Sequence, residues 1–241
     1  MQKLITELTE RLTKTFSDRL VSVVLYGSAV TGEYDAQFSD INILCVLTKV
    51  TPAELHDSEA IFRWWRQKGS PAPLLLSEQE VRTSADCFPI EFHDMKERRR
   101  ILAGADLIEA LPIDDRYYRA QVEYQLRAKL LRLRQKAAGV LQDKTLLNRL
   151  MLDSISTFCV LFRHALKLAG YSPNYARRDI IDEVGRRFNA DQSPLLEILT
   201  MREGKLASGP GEPERLLAAY LSQIQIVIDV VDRLNKPEIV S

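Results

Sequence analysis

A chain of 241 residues can form one large domain or two small ones, and either can bury a sizeable core. The 46% hydrophobic and 27% charged content is ordinary for a soluble globular protein. With 33 basic residues set against 33 acidic ones, the chain offers no broad electrostatic footprint for nucleic acid, and no uninterrupted apolar run approaches bilayer length.

From the N-terminus, Leu4, Leu8, Leu12 and Phe16 recur at helical spacing and predict an amphipathic helix ending near Asp18. This opening segment lacks the apolar core and the small-residue cleavage site of a signal peptide. LVSVVLY (Leu20 to Tyr26) then reads as a buried strand running into Gly27-Ser28, and DINILCVL (Asp40 to Leu47) as a second strand rich in apolar and β-branched residues. Thr51-Pro52 marks a helix start, with Thr51 as cap and Pro52 at the first helical position, and that helix stops at Gly69. PLLL (Pro73 to Leu76) predicts a short strand, Ser77 caps a helical turn, and CFPIEFHDM is expected to be a fourth strand. Alternating helices and strands give an α/β domain with a mixed sheet over residues 1–113.

From Asp114 onwards long helical periods replace this alternation, which predicts an all-α helical bundle over residues 114–241. Val122, Leu126, Leu130 and Leu133 trace one stripe, Leu147, Met151, Ile155, Phe158 and Phe162 a second, and Leu216 to Leu234 a third. GKLASGPGEP, from Gly204 to Pro213, reads as a flexible loop.

The chemistry is concentrated in YGSAVTGEYDAQFSDINILCVL. A strand ending in Gly-Ser, followed about a dozen residues later by an acidic residue opening a second strand, suits a nucleotide site. Glycine lets backbone approach a phosphate, the serine hydroxyl and the following helix start bind phosphate oxygens, and the acid holds a divalent cation. Residues i and i+2 of a strand share a face, so Asp40 and Asn42 are expected together on one side, with Ile41 and Ile43 turned to the core.

These segments resemble the nucleotidyltransferases of the DNA polymerase β superfamily, within it the small bacterial enzymes similar to aminoglycoside nucleotidyltransferases. That family pairs an apolar strand and Gly-Ser with Asp-apolar-Asp/Glu on the next strand, and adds a third carboxylate on a later one. The resemblance implies Mg²⁺ and a nucleoside triphosphate, ATP foremost, with transfer of AMP to a hydroxyl of a small molecule or protein and release of pyrophosphate. By position, Gly27 and Ser28 would bind the triphosphate, and Asp40, Asn42 and Glu91 the metal. Glu91, in FPIEFHD, would be third ligand or general base. The chain departs from the pattern at Asn42, an amide where the second carboxylate belongs, which brings no charge to a cation. Two outcomes stay open: bound triphosphate supplies the missing charge and turnover proceeds, or the protein is a catalytically silent nucleotide-binding or interaction member of the fold.

The remaining candidates each have a plainer role beside the functional one. Gly27-Ser28 could be a capped turn, and Glu91 the solvent face of an edge strand, with Asp94 after it opening a helix. The basic run LRAKLLRLRQK reads first as a solvated helix face; its functional alternative is that Arg127 or Lys129 reaches the triphosphate, with Glu123 as a further acid. His164 reads as a packed core histidine, and Trp64 and Trp65 as one core and one partly exposed aromatic. Cys45, Cys87 and Cys159, odd in number and each in an apolar segment, point to a reduced, cytoplasmic protein. No membrane partner is expected, and association into homo-oligomers is left open.

Overall fold

The structure, a computed structural model, describes residues 1–31, 40–206 and 212–234. The chain divides after Tyr117 into two compact units.

In the first unit α1 (Gln2–Phe16) buries Ile5, Leu8, Leu12 and Phe16 on one face, so the apolar stripe runs through Ile5 rather than Leu4. Each such side chain contributes roughly 1.5–3 kcal/mol of transfer free energy. A single 3₁₀ turn leads into β1 (Leu20–Tyr26), followed by a one-turn helix α2 (Ser28–Thr31) and by β2 (Asn42–Leu47). The second strand therefore begins at Asn42, two residues later than expected, and Asp40 precedes it. Helix α3 (Pro52–Gln67) starts as the sequence indicates, with Pro52 at N1 and a capping box in which Thr51 and Glu54 satisfy each other's backbone amides. Gly69, with φ +88°, follows its C-terminus. Then come β3 (Leu74–Ser77) and α4 (Glu78–Thr83), the latter capped by a second box between Ser77 and Glu80.

CFPIEFHDM is not a strand. Its residues from Pro89 belong to helix α5 (Pro89–Glu97), which buries Ile90, Phe92 and Met95. Ile90 and Phe92 imitate strand alternation over three residues, but Phe92 and Met95 are one helical turn apart and Pro89 sits where proline starts a helix. Asp94 accordingly lies inside this helix and does not open one. The fourth strand is β4 (Arg99–Gly104), whose leading arginines mask an apolar strand pattern.

The sheet order is β3-β2-β1-β4, with β1 antiparallel to β2 and β4 and β2 parallel to β3, the mixed sheet expected. β4 is an edge strand, where charge discourages pairing with other chains. Arg99 on it binds Asp106 at 2.7 Å, bonds Glu109, and donates to the Lys96 carbonyl at 2.9 Å at the end of α5. Gly104, with φ +78°, closes the strand so tightly that a Cβ would meet the Val21 carbonyl oxygen at 2.1 Å. Both sheet faces are covered. Val23, Leu25, Ile41, Ile43, Cys45 and Leu47 pack with α1 and with Ile61 and Trp65 of α3, whereas Val24, Leu44 and Val46 pack with Val81, Phe92 and Met95 of α4 and α5.

The second unit contains α6 (Tyr118–Ala138), α7 (Lys144–Leu168), α8 (Arg177–Phe188), α9 (Ser193–Arg202) and α10 (Pro213–Arg233). Every residue of the first two expected stripes is buried. Helix α7 packs on α6, α8, α9 and α10. By length and composition it is the one described helix that could cross a membrane, but its apolar residues fill the centre of this bundle. His164 on it is fully buried, its Nδ1 2.5 Å from the Tyr118 hydroxyl. Trp65 is buried and Trp64 lies half-exposed under Arg11, 4.3 Å from the guanidinium carbon. Of the expected loop from Gly204 to Pro213, residues 207–211 lie outside the described residues.

Candidate functional site

Antiparallel pairing of β1 and β2 sets Tyr26 opposite Asn42, Leu25 opposite Ile43 and Val24 opposite Leu44. Directly opposed residues share a face, so Tyr26, Val24, Asn42 and Leu44 lie on the α4–α5 side, and Ile43 and Leu25 on the α1–α3 side. Ile41 and Ile43 are turned to the core as expected, at 3% and 2% exposure, while Asn42 is half-buried and Asp40 is exposed.

At the end of β1 the chain turns through Gly27, whose φ of +74° favours glycine. A Cβ there would lie 2.8 Å from Asn42 Nδ2, so the absent side chain is what admits the amide beside the turn. The Val30 amide closes the turn on the Gly27 carbonyl at 3.0 Å, and Ser28, half-buried, begins the single turn of α2.

Glu91 stands on a helix and not on a later strand, as third residue of α5, a position where a carboxylate also complements the helix dipole. Its charge is nevertheless felt at this end of the sheet. The Tyr26 phenol is pushed up to about 12, first by burial and then by the negative charge of Glu91. Tyr26 was not singled out from sequence, yet it lies opposite Asn42 and beside Glu91; its place as last residue of an apolar strand, in phase with Val24, was the available signal. Nearby, His93 Nε2 contacts Asp115 Oδ1 at 2.5 Å.

The four strands, LVSVVLY, NILCVL, LLLS and RRILAG, contain no carboxylate. Among the described residues no group of three or more His, Cys, Asp or Glu could hold a metal. Cys45 is buried within β2, its thiol pushed up to about 12 by burial, which removes it as a nucleophile; Cys87, expected in an apolar setting, is exposed. In the helical unit, Arg127 Nε donates to Glu123 at 2.8 Å and its Nη2 lies 3.6 Å from Asp232, while Lys129 is exposed. Arg132, Arg134 and Lys136 are exposed too, as on a solvated helix face.

Residues 3–109 match the nucleotidyltransferase domain family. The first unit carries a nucleotidyltransferase domain. The crystal structure of spectinomycin adenyltransferase AAD(9) from Enterococcus faecialis, with ATP and spectinomycin, resembles the chain with a TM-score of 0.55 at 16% identity. The likeness covers 98% of this chain and 100% of that one. It shows that the nucleotidyltransferase fold is shared. No curated protein sequence matches the chain.

The helical unit contains a cavity of about 350 Å³, lined by Tyr171, Asn174, Asp179, Asp182, Glu183 and Arg187 among others. Asn174 donates to Asp179 at 3.1 Å, Arg187 lies over the Tyr171 ring at 4.6 Å, and Glu183 pairs with Arg187 at 3.1 Å. This wall is not among the sequence-based expectations, which include no element over Arg177–Phe188.

Proposed function

We propose that the protein transfers a nucleoside monophosphate, AMP in the first instance, from a nucleoside triphosphate to a hydroxyl of a small molecule, with release of pyrophosphate. The observation that carries this reading is the Gly27 turn held against Asn42 at the end of β1, within a domain matched to nucleotidyltransferases from residue 3 to 109. ATP as donor and a small molecule as acceptor are supported by the adenyltransferase of similar fold, whose structure holds ATP and spectinomycin. The cavity of the helical unit, lined by acids and arginines together with Tyr171, Ser172 and Asn174, suits a polyhydroxylated small molecule.

In this reading the bare backbone at Gly27 lets a phosphate approach, and the Ser28 hydroxyl donates to a phosphate oxygen. Asp40 and the Asn42 carbonyl, hard oxygen donors two residues apart, would hold a divalent cation together with Glu91 and the triphosphate. Mg²⁺, when bound, would neutralise phosphate charge and align the acceptor hydroxyl for in-line attack. Glu91 takes the proton from that hydroxyl. Arg127 and Lys129 belong to the helical unit, where Arg127 pairs with Glu123 and Lys129 is exposed.

A second reading, a nucleotide-binding protein without turnover, is favoured by one observation, the absence of any carboxylate from the four strands. The two are separated by measuring pyrophosphate release from ATP and from GTP against pooled small-molecule acceptors, for wild type, Asp40→Ala and Asn42→Asp. Turnover lost in Asp40→Ala supports transfer. A silent wild type whose Asn42→Asp variant turns over supports the second reading, and calorimetry showing no triphosphate binding under any condition defeats both.

A further inference from the structure

We propose that this nucleotidyltransferase domain takes up its divalent cation only together with the nucleotide, and that Asn42 imposes this order. The inference rests on the nucleotide site proposed above and concerns what that site can hold before nucleotide arrives.

Three features of the site carry it. No strand of the sheet bears a carboxylate, and no described cluster of three ligating side chains exists. Asp40 lies before β2 and is exposed, so its charge is screened by water, while Glu91 approaches from α5 beside the Tyr26 phenol. Asn42, half-buried and next to the Gly27 turn, carries no charge. A hydrated divalent cation gives up water reluctantly and needs several anionic oxygens to do so. Among the described residues, exposed Asp40, Glu91 on a separate helix and one amide oxygen offer at most two charges, whereas a triphosphate brings both further charge and further oxygens.

The amide has the opposite effect on the nucleotide. A carboxylate at position 42 would repel a triphosphate that arrives without a cation; the Asn42 NH₂ can donate a hydrogen bond to it. The same side chain thus weakens binding of the free cation and eases binding of the free nucleotide. Asn42→Asp should invert both preferences, and because the two side chains are nearly the same size the exchange leaves the packing against Gly27 in place.

The experiment uses Mn²⁺ as the probe, followed by the loss of its free-ion electron paramagnetic resonance signal, and an α,β-methylene ATP that cannot be cleaved, followed by calorimetry. Wild type should bind the analogue without a cation and should leave the Mn²⁺ signal unchanged until the analogue is added. Asn42→Asp should bind Mn²⁺ alone at least about tenfold more tightly than wild type and lose about tenfold in affinity for the cation-free analogue. Asn42→Ser, neutral like the wild type, should leave Mn²⁺ alone unbound, which separates charge from any change in shape. If wild type binds Mn²⁺ alone as tightly as Asn42→Asp does, the ordered uptake is overturned while nucleotide binding stands. If no form binds the analogue with or without Mn²⁺, the proposed function falls and the ordering with it.

Discussion

Gly27 and Asn42 lie side by side at the ends of β1 and β2: a methyl group on Gly27 would sit 2.8 Å from the Asn42 amide nitrogen. In the sequence the two carry separate signals, one a phosphate turn and one a missing carboxylate. Antiparallel pairing makes them one feature.

Gly27→Ala is therefore expected to meet two costs. Holding a non-glycine residue in the left-handed region costs about 1–2 kcal/mol, and the contact with Asn42 adds to it. Asn42→Ala in the same chain should recover the second cost and leave the first. Urea unfolding of the two single variants and the double variant measures this directly, and additive losses would mean that the contact is relieved some other way.

Glu91→Gln tests whether a carboxylate delivered by a helix does the work expected of one on a strand. As general base, its loss should lower kcat by about 100-fold or more with little change in KM for the nucleotide. A rise in KM with kcat unchanged would move Glu91 out of proton transfer and into binding. Tyr26→Phe, which removes the neighbouring hydroxyl, is expected to leave the nucleotide KM near wild type.

Acid should weaken the first unit at an identifiable place. The Glu54 carboxyl is held down to about 2 from an ordinary 4.5, chiefly by the Thr51 hydroxyl and then by Arg19, which also binds Asp57 at 2.8 Å. A carboxyl with a depressed folded value contributes stability that is fully present above its unfolded value and is lost as pH falls through the folded one. Thermal melts should therefore show a stability loss between about pH 4.5 and pH 2 that is absent in Glu54→Gln. Thr51→Ala should cost about 1 kcal/mol near neutral pH through its cap.

In the helical unit Phe158 is 1% exposed and meets Tyr220 edge-on at 5.8 Å between centroids. Phe158→Ala should cost about 3–5 kcal/mol, part transfer and part cavity, measured by chemical denaturation. A loss under about 1 kcal/mol would mean that the bundle closes over the gap.

Arg127→Ala should change stability by no more than about 1 kcal/mol, since Arg127 is itself half-exposed and its pair with Glu123 spans one helical turn. If the side chain holds phosphate, affinity for the ATP analogue should fall about tenfold. Unchanged affinity would leave it a solvated residue.

What could be read from the residues alone was whatever local physics decides. Thr51-Pro52 and Ser77 announce their helices because a cap and a proline act within one turn. LVSVVLY and the stripe from Leu147 to Phe162 follow from apolar period, and the alternation of Asn42 with Ile41 and Ile43 follows from the pleat. Three things required the tertiary structure. RRILAG is a strand because β1 has an edge to pair with, which its two leading arginines do not announce. PIEFHDM is a helix because Phe92 and Met95 must both reach the core on Val24 and Leu44, which a strand at that point could not arrange. And Glu91 arrives beside Tyr26 by the packing of α5 on the sheet, a juxtaposition between distant segments that no local pattern encodes. The sequence alone determined that position 42 carries no charge; only the folding of β2 against Gly27, and of α5 over the same face, decided what stands around it.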